Sequence, residues 1–147
     1  MPHVEVSTII RAPAARVAGL YRDYEGWPRL FPATIRGVHL VRAQGNRTEL
    51  RIDHREGTVP NAMIEVGPER VDLWEARRRY DARFVNRFEA VPEGTRYTVA
   101  ADVELKGAAK LLGPLLGGYI RRRITRYVLE PVRAAAEERP VAPPEAS

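Results

Sequence analysis

Four polar side chains stand where a surrounding apolar surface would put their chemistry to use: His54, Asn86, Tyr97 and Arg123. Residues two apart in a strand share a face, so His54 lies with Leu50 and Ile52. An imidazole in that position can take or return a proton near neutral pH, or can serve only as a hydrogen-bonded histidine at a strand end. Asn86 shares a face with Phe84 and Phe88 and is expected to point inward. There its amide can orient a ligand carbonyl, or bond to a neighbouring backbone group or tyrosine hydroxyl. Tyr97 begins the last inward row, which continues through Val99, and offers a hydroxyl. Arg123 belongs with Tyr119, Ile120 and Tyr127 to the expected cavity side of a late helix whose apolar stripe includes Leu116. Its guanidinium can meet an anionic or enolate oxygen or snorkel to water. The chemistry in reach is acid–base catalysis without a metal, with His54 and Asn86 as the catalytic candidates.

Other chemistries fall away on composition. The chain of 147 residues has no cysteine, which removes disulfides, thiolate nucleophiles and cysteine-bound metals. His3, His39 and His54 lack ligand spacing, so no metal site and no cofactor are expected. The net charge of +5 comes mostly from arginines spread among nineteen acids. The dense run Arg121-Arg122-Arg123 sits inside a helix without interleaved aromatics, which argues against nucleic acid. Arg122, Arg126 and Arg133 share a helix face and can dock an anionic partner, an acidic carrier protein or membrane headgroups. The N-terminus lacks a signal-peptide core. The greasy run Leu111 to Ile120 is broken by Pro114 and three glycines and is too short to span a bilayer, so a cytoplasmic location is expected.

The elements that position these residues follow from periodicity. His3 to Ile10 alternates as a strand with one buried face. Ala12-Pro13-Ala14 opens a helix whose buried stripe is Val17, Leu20, Tyr21 and Tyr24, and Trp27 to Pro32 forms a second short helical turn. From Thr34 to Leu105 strands alternate with turns, predicting an antiparallel sheet with one solvated face. A long amphipathic helix over Leu111 to Glu138, nearly 40 Å at about 1.5 Å per residue, needs a wide apolar surface to lie on. The class is α+β: a curved seven-stranded antiparallel sheet wrapped around that helix. One domain is expected over residues 1–138, with 139–147 a disordered tail rich in Pro and Ala.

A sheet so lined with small residues, Ala62, Ala76, Ala82 and Ala101, leaves a gap beneath the helix, and such apolar gaps are the usual form of small-molecule sites. Its expected lining includes Leu50, Ile52, Ala62, Ile64, Phe84, Phe88, Tyr97 and Val99, with a hydrophobic small molecule as occupant. Trp74 shares a face with Asp72 rather than with Val71 and Leu73, so a single bulge decides whether it points inward. Trp27 and Phe31 can form a satellite core beneath a loop. Two prolines divide the long helix: Pro114 begins its first turn, leaving Gly107 to Gly113 as a separate turn, and Pro131 kinks or loosens it. The glycine-rich N-terminal end is expected to be a movable gate, and Tyr127 onward the fixed core.

The order of elements and four punctuating strings resemble the SRPBCC superfamily (START/Bet v 1-like, helix-grip), in its polyketide cyclase/dehydrase and lipid-transport branch. The strings are Ile10-Arg11-Ala12-Pro13, Tyr24 to Pro28 with Phe31-Pro32, Phe88 to Thr95, and the terminal helix ending in Ala-Ala-Glu-Glu. The resemblance implies a ligand cavity between sheet and helix, one end of it closed by Trp27, holding a polyketide intermediate, quinone or lipid. It also implies a possible polyketide cyclase or dehydratase activity. One departure matters. The aromatase/cyclases that this chain resembles carry an inward arginine on the strand after the first hairpin, whereas Thr58 to Glu65 has none. Asn61 is the neutral polar candidate there, and Pro60 points to an edge or bulge.

Overall fold

In the computed structural model, which describes residues 2–138, the sequence alternation becomes a seven-stranded antiparallel sheet in the order β1-β7-β6-β5-β4-β3-β2. The strands are β1 (His3–Ile10), β2 (Ile35–Gln44), β3 (Arg47–His54), β4 (Gly57–Gly67), β5 (Arg70–Ala76), β6 (Tyr80–Val91) and β7 (Gly94–Leu105). Between β1 and β2 lie α1 (Ala14–Arg22), a 3-10 turn (Tyr24–Gly26) and α2 (Trp27–Leu30). The tail expected at 139–147 lies outside the described residues.

The C-terminal helix is divided where the prolines require. A 3-10 segment, Gly107–Leu112, precedes α3 (Gly113–Ile124), with Pro114 in its first turn. A π-helical turn, Thr125–Leu129, then leads into α4 (Glu130–Glu137), with Pro131 in its first turn. Pro131 has no N–H to offer the Tyr127 carbonyl, and a π turn is one way a helix absorbs such a gap. Backbone dihedrals stay helical across both joints, so the rod is adjusted rather than broken.

Register decides which residues face this rod. The pairings Val6–Val99, Val99–Asn86 and Asn86–Val71 place one row on the concave face, and Ala82–Glu75, Glu75–Asn61 and Asn61–Leu50 place another. The convex face carries Ala62–Trp74, Trp74–Arg83, Arg83–Asp102 and Asp102–His3. Three expected lining residues, Ala62, Ile64 and Trp74, therefore lie on the outer side of the sheet. The irregularity in the β4–β5 ladder falls at Glu65–Gly67, too late to turn Trp74 inward. Its indole, 47 % exposed, lies beneath the Arg83 guanidinium, which also holds Asp102 at 2.9 Å.

Pro60 sits in an inner strand, yet the β4–β5 ladder begins only at Asn61–Glu75, so β4 is locally an edge from Gly57 to Pro60. A residue without an N–H is tolerated there. Gly94 performs a different service. At φ 138° its Cα passes Ile10 so closely that an added Cβ would stand 2.3 Å from that residue's carbonyl oxygen, while Thr95 donates to the Ala12 carbonyl at 2.7 Å. The string Glu93-Gly94-Thr95 thus fastens the start of α1 to the end of the sheet.

Candidate functional site

The concave face has two halves with opposite characters. Toward β1 and β7 it is packed solid beneath α1 and α2. Tyr21, Trp27, Phe88 and Tyr97 are buried there, with Phe88 and Tyr97 stacked at 4.9 Å and Trp27 tilted against both Tyr21 and Phe31. The Trp27 indole donates to the Tyr21 carbonyl at 2.8 Å. Asn86 is the polar centre of this half: its amide donates to the Tyr21 hydroxyl at 3.0 Å, and Tyr97 donates to its Oδ1 at 2.6 Å. Burial drives both phenols upward from their ordinary values, so they stay protonated and neutral. Of the two uses open to Asn86, the bond to tyrosine hydroxyls is the one realised. Asn86, Phe88, Tyr97 and Val99 point inward as parity requires, but they are covered by the aromatic packing and meet no open space.

The other half is polar at one end of an apolar wall. Here His54, Asn61, Glu75, Arg77 and Tyr80 gather where β3, β4, β5 and β6 end or begin, with Leu50 and Ile52 buried beside them and Phe84 half-buried. His54 Nε2 lies 3.5 Å from Glu75 Oε1, and Arg77 donates to the same oxygen at 3.1 Å. Burial pushes the Glu75 carboxyl up, but the neighbouring His54 ring and the Arg77 hydrogen bond and charge outweigh it, leaving the group below its ordinary value. Tyr80 is pushed up to about 12, first by burial and then by the Glu75 charge, with Arg77 and Arg123 opposing. The Arg123 charge therefore reaches this cluster from the helix side.

Three polar atoms in this half are shielded from solvent without a hydrogen-bond partner among the described residues: His54 Nε2, Asn61 Oδ1 and Arg77 Nε. The Asn61 amide nitrogen donates to the Val59 carbonyl at 3.2 Å, so its oxygen is left facing the interior. Buried polar atoms are ordinarily satisfied, and unpaired ones mark the place where a ligand or water completes the set.

The N-terminal part of the C-terminal helix packs on β6 and β7. Leu116 and Ile120 pack against Ala82, Val103 and Leu105. On the helix itself, Tyr119, Arg123 and Tyr127 line a groove of about 650 Å³ bounded by helix residues alone, with Arg123 stacked over both rings at 5.7 and 4.9 Å. A second groove of about 510 Å³ runs between the segment Arg29 to Ala33, which includes Phe31, and the helix from Arg126 onward. Of the expected residues, the fold thus brings His54, Leu50, Ile52 and Phe84 to this polar half, while Leu116, Tyr119, Ile120, Arg123 and Tyr127 lie on the C-terminal helix. Glu75, Arg77 and Tyr80 are additions. Glu75 was within reach of parity, since it shares a face with Val71 and Leu73, but a charged residue is not an expected occupant of a buried row.

The sequence matches the family described as polyketide cyclase / dehydrase and lipid transport over residues 1–137. The chain belongs to this family. A search of curated proteins finds no match. Among solved structures, the di-domain ARO/CYC BexL of the BE-7585A biosynthetic pathway superposes with a TM-score of 0.72 at 22 % identity, covering 94 % of this chain and 50 % of that one. The chain thus spans about half the length of that di-domain protein. The Zhui aromatase/cyclase from Streptomyces sp. R1128 gives 0.70 at 17 % identity, with 92 % and 93 % covered. A START superfamily protein from Mycobacterium smegmatis gives 0.72 at 14 %, with 92 % and 97 % covered. At these identities the likeness shows the fold, which is the helix-grip arrangement. Against the inward arginine expected of cyclases in this family, β4 offers the concave side Val59, Asn61, Met63 and Glu65, and the Glu65 carboxylate is taken by Arg22 at 2.9 and 3.0 Å. Among the described residues no helix is long and apolar enough to cross a membrane.

Proposed function

We propose that the protein binds a hydrophobic, oxygen-bearing small molecule of polyketide type at the polar half of its concave face, beside His54 and Asn61. The supporting observation is a buried polar atom without a partner among the described residues at one end of an apolar wall, the Asn61 carbonyl oxygen. A ligand hydroxyl donates to Asn61 Oδ1, while its apolar body lies on Leu50, Ile52 and Phe84 under Tyr119 and Tyr127. Family membership supports the ligand class.

The experiment is a thermal-shift and fluorescence titration with 1,8-dihydroxyanthraquinone, an aromatic probe of this chemistry. Stabilisation that rises with probe concentration, together with binding weakened about tenfold in Asn61→Leu by loss of a hydrogen bond to a buried group, is the expected result. No shift at any probe concentration, or equal affinity in Asn61→Leu, overturns the reading.

The His54–Glu75 pair favours a second reading, catalysis by proton transfer. The imidazole takes a proton from the carbon between two ligand carbonyls. That carbon attacks a further carbonyl, the C–C bond forming as the C=O π bond breaks, and the imidazolium returns the proton to the resulting alkoxide. The Glu75 carboxylate stabilises the ring when it is charged. Conversion of a poly-ketone substrate, lost in His54→Ala and retained in Asn86→Ser at permissive temperature, supports it. Equal product ratios with and without the protein remove it.

A further inference from the structure

The stretch from Leu105 to Leu129 contains six cations and no acid: Lys106, Lys110, Arg121, Arg122, Arg123 and Arg126. Two of the six have polar partners, Lys106 with Asp81 at 2.7 Å and Arg121 with the Glu5 carbonyl at 2.9 Å, and Arg123 and Arg126 lie over tyrosine rings without a salt bridge among the described residues. Within the same stretch Leu111 is 83 % and Leu115 77 % exposed, and Leu112 and Tyr119 are about half exposed. The placement is ordered. From Leu115 the steps to Tyr119, Arg122 and Arg126 are four, three and four, which sets them along one side of the helix, with Leu111 and Leu112 in the 3-10 segment just before it. Apolar side chains occupy its N-terminal part and arginines its middle.

We infer that this face docks on an anionic phospholipid surface, with Leu111, Leu112 and Leu115 entering the headgroup boundary and Arg122 and Arg126 resting on the phosphates. Charge complementarity selects an anionic partner, and the form of the apolar part selects a bilayer. The leucines are exposed and line neither groove, so a folded protein would have to supply the concave surface that covers them. A fluid bilayer needs no such surface. An exposed apolar patch joined to unpaired cations on one helix is the usual composition of an interfacial helix. Docking in this way sets the groove beside Tyr119 and Arg123 against the membrane, where a hydrophobic ligand can pass without crossing water. That last step rests on the proposed ligand binding; the docking itself does not.

The test is co-sedimentation of the full chain with vesicles of phosphatidylcholine alone and of phosphatidylcholine with about one-third phosphatidylglycerol, without ligand. The expected result is binding to the anionic vesicles that falls with salt, and at least about tenfold weaker binding both in Leu111→Ser/Leu115→Ser and in Arg122→Glu/Arg126→Glu. These side chains are exposed, so the variants fold, which circular dichroism checks. No binding to anionic vesicles overturns the inference. Loss in the arginine variant with full binding in the leucine variant also overturns it, because the face then attracts any polyanion, an acidic carrier protein included. Dihydroxyanthraquinone binding in Leu111→Ser/Leu115→Ser, measured without vesicles, stays at the wild-type level, so failure of docking and failure of ligand binding are distinguishable.

Discussion

Although β4 lies between their strands, His54 and Glu75 approach to 3.5 Å at the open end of the concave face. The carboxylate is buried and shared with Arg77, so two basic groups meet one acid beside an apolar wall. This arrangement both holds that end of the sheet together and supplies the polar end of the proposed ligand site.

The pair makes stability depend on acid. Glu75 has a folded-state value below its ordinary 4.5. A depressed carboxyl contributes stability that is present above the unfolded value and lost as pH falls through the folded one. Denaturant unfolding of wild type and Glu75→Gln should therefore differ at neutral pH, with the wild type more stable, and the gap should close as pH falls below about 4.5. A gap that is constant down to pH 3, or that widens in acid, would contradict the assignment.

Asn86 is expected to matter for folding before it matters for chemistry. Truncation to Ala leaves the hydroxyls of Tyr21 and Tyr97 buried without their shared partner. At about 1–3 kcal/mol for each unsatisfied buried group, Asn86→Ala should lose roughly 2–6 kcal/mol in urea unfolding. A double change, Asn86→Leu with Tyr97→Phe, should recover part of that loss because it removes both polar ends of one bond. Wild-type stability in Asn86→Ala would mean that water serves the two tyrosines equally well.

Gly94→Ala tests the fastening of α1. The alanine Cβ would meet the Ile10 carbonyl oxygen at 2.3 Å in a backbone conformation that L-residues rarely adopt. The expected cost is about 3 kcal/mol, which for a chain of this size lowers Tm by roughly 6–12 °C. A change within about 0.5 kcal/mol would show that the turn relaxes freely.

Along the C-terminal helix, hydrogen exchange should be uneven. Ile124, Leu129, Val132 and Ala136 are buried, whereas Leu111, Leu112 and Leu115 are exposed and three glycines interrupt the N-terminal end. Amides of 107–123 should exchange at least about tenfold faster than those of 124–137, the signature of a segment that opens locally. Equal protection along the whole rod would remove the gate.

Most strands were legible because alternation and turns are local signals. Val4, Val6 and Ile10 mark one face of β1, and Pro92-Glu93-Gly94 marks the turn into β7, whatever the remainder of the chain does. The helix breaks at Pro114 and Pro131 were equally local, since a missing N–H acts within one turn. Trp74 was not legible in this way: its inward or outward setting waited on whether the β4–β5 register slipped before or after it. Ala62 and Ile64 failed for a related reason, because small size and hydrophobicity do not tell the two faces of an inner strand apart.

Thus the amino-acid order alone determined the α+β class, the seven strands, the position of the long helix and the inward parity of His54, Asn86 and Phe88, all consequences of periods of two and 3.6 residues. Tertiary structure decided which inward residues have anything to meet. Where α1 and α2 cross the sheet, Asn86 and Tyr97 are sealed among aromatic rings. Where His54, Asn61 and Glu75 gather at the ends of β3 to β5, buried polar atoms are left without hydrogen-bond partners among the described residues, while the glycine-rich end of the C-terminal helix packs on β6 and β7. That difference depends on contacts between residues far apart in the chain, and no local period encodes it.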